Sequence, residues 1–415
     1  MTRQPVPFLA DFGSPRWLAL WAAMLGFLLD AMDVVLYLFA LQSIRAEFGL
    51  SLAQAGLVTT FTMLASAVGG IGCGILADRI GRTRTLIFTI LLYSIASGGS
   101  ATATGLSSLL FWRSLVGLGL GGEWSAGSVL VAESWPAEHR GKAISFMQSG
   151  WALGYMLAAA ISAVVLPAFG WRALFLVGVL PALLTIAIRR QVKEPKLWAN
   201  RRRTGTGAIF RALFGPSLRR RTAIATSVAT SVLIAYWGLF SWLPGFLSAS
   251  REAGGAGMDL VRSSLWLIVI QAGAYAGYLS FGVLADRWGR KPAFAFYVGV
   301  AAVLTPVFGL LPQWRPEDAE RWLWVLGPAI GFFGTGYFSL FGAMLAELFP
   351  TAVRGTAQGF AYNLGRGVSA LAPFAIGASA ERIGLGAALT FCAGFYLLGG
   401  ALIWLLPETR SAELE

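Results

Sequence analysis

The chain has 415 residues, 56% hydrophobic and only 13% charged, against roughly 25% charged in an average soluble domain. That balance excludes a soluble globular protein and describes a polytopic membrane protein. The net charge of +12 would suit a nucleic-acid partner only if the basic residues formed one patch. They are instead spread over loops on one side of the membrane, as shown below.

The start, M-T-R-Q-P-V-P-F, lacks a short apolar core followed by a small-residue cleavage site, so the first span is expected to be retained. Twelve apolar spans are predicted at 17–40, 52–76, 86–104, 107–132, 143–168, 171–188, 222–248, 263–285, 292–311, 322–348, 356–379 and 385–406. A crossing takes roughly 20 residues, and backbone facing lipid must bond internally, so each span is a helix. The first span carries the most costly feature in the chain, L-L-D-A-M-D-V-V at 28–35. Asp30 and Asp33 are three residues apart and share one helical face. Each mid-membrane charge costs about 2.5–3.5 kcal/mol on insertion scales.

Lys and Arg set the orientation. Twenty-three of the 32 fall on one side, eleven of them in the loop between Arg189 and Arg221, and seven on the other. The last two, Arg113 and Arg366, lie inside spans. Both termini are therefore expected in the cytoplasm, and the positive charge reads as a topological signal with an attraction to anionic lipid. The long basic loop divides the chain into a first six-helix bundle (1–188), a linker (189–221) and a second bundle (222–415). Linker segment 208–214, A-I-F-R-A-L-F, mixes apolar and basic residues in the manner of an interfacial helix.

The halves repeat. The 2–3 loop reads G-C-G-I-L-A-D-R-I-G-R-T-R and the 8–9 loop G-V-L-A-D-R-W-G-R-K, with Asp78 and Asp286 in register. A second pair, A-E-S-W-P-A-E-H-R-G-K-A from Ala132 and A-E-L-F-P-T-A-V-R-G-T-A from Ala346, recurs at an offset of 214 residues. Internal repeats of this kind mark secondary transporters, with the substrate site near the midplane between the halves. Asp78, Arg79 and Arg82, with Asp286, Arg287 and Arg290, fall at the cytoplasmic ends of their helices. They suit charge pairs made in one conformational state and broken in another. Glu133 beside Arg140, and Glu347 beside Arg354, suit the same gating role.

Both G-x-x-x-D-R-x-G-R loops, and R-S-L-V-G-L-G-L-G-G-E from Arg113, resemble the signatures of the major facilitator superfamily. The resemblance implies an all-α membrane fold of two six-helix bundles rocking about a central cavity. The stretch G-G-E-W-S-A-G-S-V-L-V-A-E-S-W-P-A-E-H-R-G-K-A (121–143), followed by F-G-W-R-A-L-F (169–175), is similar to the proton-coupled organic-acid symporters of that superfamily. The sialic-acid and aromatic-acid groups are nearest. Their D-G-F-D aligns with D-A-M-D here, with Ala31 and Met32 in the middle, and the resemblance implies transport roles for Asp30 and Asp33.

The buried polar residues can be read on their own. Desolvation and a like charge both favour the neutral acid, so Asp30 and Asp33 suit a proton carrier, against a purely structural pair. Arg113, at the depth of Asp33, reads first as its ion-pair partner and second as a substrate contact. Glu123, about 15 Å further along the same helix, reads as a coupling acid or a buried structural pair. Arg366 has no acidic neighbour in the central spans of its own half and suits a carboxylate clamp, with a cross-bundle ion pair as the alternative. Asn363, Gln271 and Tyr337 are candidate substrate contacts. Three acids and two arginines sum to −1 when ionised. Two protons make the group +1, so that protonation invites a monocarboxylate.

These readings converge on a proton-coupled importer of a small organic anion in the inner membrane of a bacterium, expected as a monomer among membrane lipids. The neighbouring alternative is a proton antiporter exporting drugs or metabolites. A non-transporting receptor would want a soluble signalling domain. No Gly-rich phosphate loop, metal-ligand spacing or cofactor motif is present, and no catalytic residue is expected. Cys73 and Cys392 read as small apolar packers. Carboxylates alone leave sodium coupling open.

Overall fold

The structure is a computed structural model. It describes residue 8 and residues 13–50, 52–183, 188, 192–199, 206–258, 260–410 and 412–414. Arg3 and the linker arginines 189, 190, 201, 202 and 203 lie outside the described residues. The longer helices are α1 (Pro15–Phe48), α2 (Leu52–Ile80), α3 (Arg82–Ser100), α4 (Leu106–Ser134), α5 (Arg140–Val177), α6 (Thr206–Leu213), α7 (Arg219–Phe240), α8 (Leu260–Trp288) and α9 (Arg290–Trp314). Beyond them run α10 (Ala319–Thr335), α11 (Ser339–Leu348), α12 (Arg354–Ser369), α13 (Ala372–Ile383), α14 (Leu385–Leu389) and α15 (Phe391–Leu402).

Among the described residues, nine helical stretches are long and apolar enough to cross a membrane. Three of the twelve predicted spans fall outside that measure for identifiable reasons. The third, α3, is 19 residues long and begins with Arg82 and Arg84. The sixth is continuous with the fifth across a kink, with Pro167 inside the helix and Gly170 at φ 74°. The eleventh is broken between α12 and α13, and α12 carries Gln358, Asn363 and Arg366. The tenth crossing is α10 and α11 joined through a 3₁₀ turn at Gly336–Phe338.

Small residues bring the helices together, as packing within lipid requires. Gly69, Gly117 and Gly121 place α2 and α4 backbone to backbone, leaving no room for a Cβ. Gly273, Gly277 and Gly331 do the same for α8 and α10, so the sequence repeat is also a packing repeat. The two halves meet through α2 against α12 and α5 against α8. A Cβ on Gly74 would stand 2.6 Å from Gly355 O, one on Gly359 2.7 Å from Gly70 O, and one on Gly282 2.8 Å from Gly141 O. All these approaches lie toward the ends carrying the D-R-x-G-R turns, so the halves are closed on that basic side.

Candidate functional site

The D-R-x-G-R turns gather charge on the basic side. Gly81 and Gly289 have φ of 118° and 110°, which L side chains resist. The sharp turn lets Arg82 and Arg290 open α3 and α9 as fully buried side chains. Arg82 reaches Glu133 through Nε and Nη2, both at 3.0 Å, and Asp78 at 3.0 Å. Arg354, from the other half, reaches Glu133 at 2.7 Å. The second half repeats the pattern: Arg290 meets Asp286 at 2.7 Å and Glu347 at 3.0 Å, and Arg140 crosses to Glu347 at 2.9 Å. The aspartates take the opposite half's helix N-termini, where free N–H groups favour a carboxylate. Asp78 accepts from the backbone N–H of Gly355 (3.1 Å) and Thr356 (2.7 Å). Asp286 accepts from Lys142 N–H at 3.0 Å.

Two members of these clusters escaped the sequence reading. Glu194 accepts from the backbone N–H groups of Arg82 (2.8 Å), Thr83 (3.2 Å) and Arg84 (3.2 Å). Glu408 accepts from those of Arg290 (2.8 Å) and Lys291 (3.1 Å). They stand in K-E-P and P-E-T, in register at the offset of the second repeat pair, and that offset is the signal that could have found them.

Deeper in the first half, Arg113 and Asp33 form a buried ion pair at 3.1 Å. Ser97 donates to the same aspartate, and the Tyr37 ring lies under the guanidinium, 4.7 Å from its carbon. Asp30 and Glu123 differ from Asp33. Both are buried, and Asp30 Oδ1 and both oxygens of Glu123 have no hydrogen-bond partner among the described residues. The Asp30 charge acts on Glu123. The Arg366 charge, from the opposite half, also acts on Asp30.

Between the halves lies a narrow slot with a cavity volume of about 30 Å³. Its wall is aromatic: Phe27, Trp124, Trp151, Tyr236, Trp237 and Tyr362 surround it, with Arg366 as the charged lining residue. Gln148 also lines it, and Trp124 Nε1 donates to Gln148 Oε1 at 3.1 Å. An indole N–H only donates, so the amide must offer it oxygen and turn its NH₂ elsewhere. Toward the basic side the slot closes on Trp124 stacked against Tyr362, ring centroids 3.9 Å apart. Behind them Asn363 donates to Ser125 Oγ at 3.1 Å and Gln358 to Ser128 Oγ at 2.8 Å. Each of these pairs joins one half to the other.

Comparison with known proteins follows the same lines. The family model for the Major Facilitator Superfamily matches residues 23–360 and 255–415. The chain belongs to the Major Facilitator Superfamily. The cis,cis-muconate transport protein of Acinetobacter baylyi is 32% identical over 385 residues, covering 90% of this chain and 91% of that protein. The sialic acid transporter NanX of Escherichia coli is 30% identical over 389 residues, covering 94% and 90%. A solved structure of the proton:xylose symporter XylE superposes with a TM-score of 0.78 at 21% identity, over 97% of this chain and 98% of that one, and shares the fold. A member of this superfamily is a multi-pass membrane transporter of small metabolites rather than an enzyme.

Against that superfamily frame, the expected site residues divide. Asp78, Arg82, Glu133, Arg140, Asp286, Arg290, Glu347 and Arg354 all meet in the basic-side clusters, with Glu133 paired to Arg354 and Glu347 to Arg140 across the halves rather than each to the arginine beside it in sequence. Arg79 and Arg287 are exposed at the adjoining positions, because one residue further along a helix turns the side chain by about 100°. Of the five residues expected to contact substrate, Arg366 lines the slot. Arg113 is instead consumed by Asp33. Asn363 sits in the seam below the slot. Tyr337 is fully buried, its hydroxyl donating to Val232 O at 3.4 Å. Gln271 is buried on α8 away from the lining. Tyr278, two turns nearer the basic end on the same face, takes the place in the slot.

Proposed function

We propose that this protein imports a small organic carboxylate with a flat, conjugated or aromatic body, in symport with protons, by alternating access across a bacterial inner membrane. The observation that carries the reading is the slot itself. A single guanidinium among aromatic walls is a clamp for one carboxylate attached to a flat apolar group. The muconate and sialic acid named for two relatives are both carboxylates, which supports the chemical class. By the positive-inside rule the basic side is cytoplasmic, so the described conformation is closed to the cytoplasm.

Coupling follows from charge. With Asp33 and Arg113 neutralising each other, the central charges are Asp30, Glu123 and Arg366. When both acids are ionised they sum to −1 and compete with the substrate for Arg366. When both are protonated, the slot is +1 and a bound monocarboxylate brings it to zero. A carboxylate enclosed without a donor is costly, so the present enclosure of Glu123 suits its neutral form. In this mechanism protons load before the anion, and both leave after the cytoplasmic clusters break. Asp78, Glu133, Asp286 and Glu347, with their arginines, gate that step.

The test is uptake into proteoliposomes of benzoate, nicotinate, cis,cis-muconate and N-acetylneuraminate, with and without an inward proton gradient. Gradient-driven uptake of a flat carboxylate, abolished in Arg366→Gln and uncoupled in Asp30→Asn, is expected. Uptake indifferent to the gradient, or carried by a sodium gradient, overturns the symport reading. Outward transport of lipophilic cations would favour the exporter.

A further inference from the structure

Tyr93 is absorbed neither by the substrate slot nor by the basic-side clusters. It lies on α3, fully buried, and its hydroxyl has no hydrogen-bond partner among the described residues. Buried hydroxyls nearly always have one, so an unpartnered phenol inside a packed bundle asks for an explanation. Its electrostatic neighbours are, in order, Glu123, Asp30 and Asp33. Two of these are the acids whose own oxygens lack partners. Asp30 Oδ1, Glu123 Oε1, Glu123 Oε2 and the Tyr93 hydroxyl are thus four unpartnered polar atoms in one region, where α1, α3 and α4 meet.

The packing defines that region. Gly26 on α1 faces Glu123, and a Cβ there would stand 2.6 Å from Glu123 Oε1 and 3.4 Å from Ile90 Cδ1 on α3. Gly119 on α4 lets Tyr93 lie close, since a Cβ there would meet Tyr93 Cβ at 2.8 Å. Both glycines keep open the junction that the three polar side chains share. Other titratable and charged groups border the junction. Asp33 is held by Arg113 and Ser97, Cys73 of α2 packs against Gly122, and Arg366 and Tyr362 of α12 face it from the other half.

We propose that Tyr93 is a positioning residue for the coupling proton: its hydroxyl links Asp30 to Glu123 through internal water, so that the two acids exchange one proton as a unit. A phenol can donate to one carboxylate while accepting from a protonated acid, which neither carboxylate can do when ionised. No bond other than O–H is made or broken: the proton leaves one carboxylic acid, the hydroxyl hands on its own, and the second carboxylate ends protonated. Asp30, near Arg366, is the member that senses the substrate. Glu123, sealed by Gly26, is the member that stores the proton away from it. This inference rests on the symport reading.

The test uses Tyr93→Phe, which removes one oxygen and keeps the ring that fills the core. Two rates are measured in proteoliposomes with the carboxylate that wild type transports: proton-driven net uptake across a pH series, and substrate–substrate exchange at equal pH on both sides. Loss of the relay slows net uptake roughly tenfold and displaces its pH profile, while exchange, which needs no net proton transfer, continues. A purely structural tyrosine would lower both rates together and leave the profile in place, and that result overturns the inference. So does a Tyr93→Phe protein identical to wild type in which Asp30→Asn and Glu123→Gln are uncoupled. Wild-type uptake that ignores the gradient overturns the symport reading, and the inference falls with it.

Discussion

Replacing Glu133 by glutamine should shift the protein toward opening on its basic side, and the geometry sets the size of the effect. Glu133 serves two buried arginines, Arg82 of its own half and Arg354 of the other, and all three side chains are nearly inaccessible. Removing one partner of a fully buried ion pair costs about 3–5 kcal/mol, because the remaining charge is left desolvated. Two features put this case at the lower end. Arg82 keeps Asp78 at 3.0 Å, and Arg354 keeps Thr351 Oγ1 at 2.6 Å and Ala346 O at 2.8 Å. The loss is felt only while the halves are together, since opening rehydrates Arg354. A differential of about 3 kcal/mol changes the closed-to-open ratio roughly a hundredfold. Spin labels at the exposed positions of Arg79 and Arg287, in a background with Cys73 and Cys392 replaced by alanine, would read the distance across the basic face. A wild-type short-distance population should give way to a long one in Glu133→Gln, and Glu347→Gln should act in the same direction. An unchanged distance distribution would refute the claim that these carboxylates hold the halves closed.

Other expectations follow from individual contacts. Gly26→Ala forces a methyl to within 2.6 Å of Glu123 Oε1 and should impair proton-driven uptake while carboxylate binding, measured by tryptophan quenching, persists. Arg113→Leu strands the buried Asp33 and should lower stability by about 3–5 kcal/mol; the double variant Asp33→Asn with Arg113→Gln should recover much of that in a thermal-shift assay. Arg366→Lys keeps the charge but loses the two-pronged guanidinium geometry, and should weaken carboxylate binding by roughly tenfold in the same quenching titration. Outside the membrane span, the hydrogen bonds from Arg172 and then Trp171 hold the Glu47 carboxyl below its ordinary value of 4.5. A depressed acid stabilises the fold above that value and loses its contribution as the pH falls through the lower folded one. The difference in melting temperature between wild type and Glu47→Gln should therefore be constant from pH 8 to 5 and close only under more acid conditions.

The basic-side clusters are partly legible in the sequence because their within-half aspartate–arginine pairs are built on local spacing. Asp78 and Arg82 are one turn apart, as are Asp286 and Arg290, whereas the cross-half pairs Glu133–Arg354 and Glu347–Arg140 are not local and replace the within-half neighbours that the sequence offers. The Asp33–Arg113 pair was legible from depth alone, since each residue's distance along its helix put both at one level. The residues lining the slot are harder to read, because they depend on helix phase. Asn363 and Tyr362 are adjacent, yet a rotation of about 100° places one in the seam and the other in the slot. The i+4 relation of Tyr362 to Arg366 marks the slot face, a relation that the choice of a polar neighbour passes over. Gln271 offers polarity at mid-helix, whereas the slot lies two turns lower and takes Tyr278. Aromatic side chains lining a cavity have the same periodicity as those in a core, so no pattern separates Trp151 or Tyr236 from packing residues until the halves are assembled.

The assembled halves also explain why two aspartates so close in sequence have different fates. Asp33 faces α3 and α4, where Ser97 and Arg113 satisfy it, and it is locked within one half. Asp30, three residues earlier, is turned enough to leave that pair. The charges acting on it are Arg366, which belongs to the other half, and Asp33 of its own helix. An ion pair inside one rigid body cannot report on the relative position of two bodies, whereas an interaction between bodies must change when they rock. In the proposed mechanism, proton affinity at Asp30 is tied both to substrate, which competes for Arg366, and to conformation, which moves Arg366 away. Two aspartates on one helical face look redundant as a pair of charges, but the geometry divides them into one paired within its own half and one acted on by a charge of the other half.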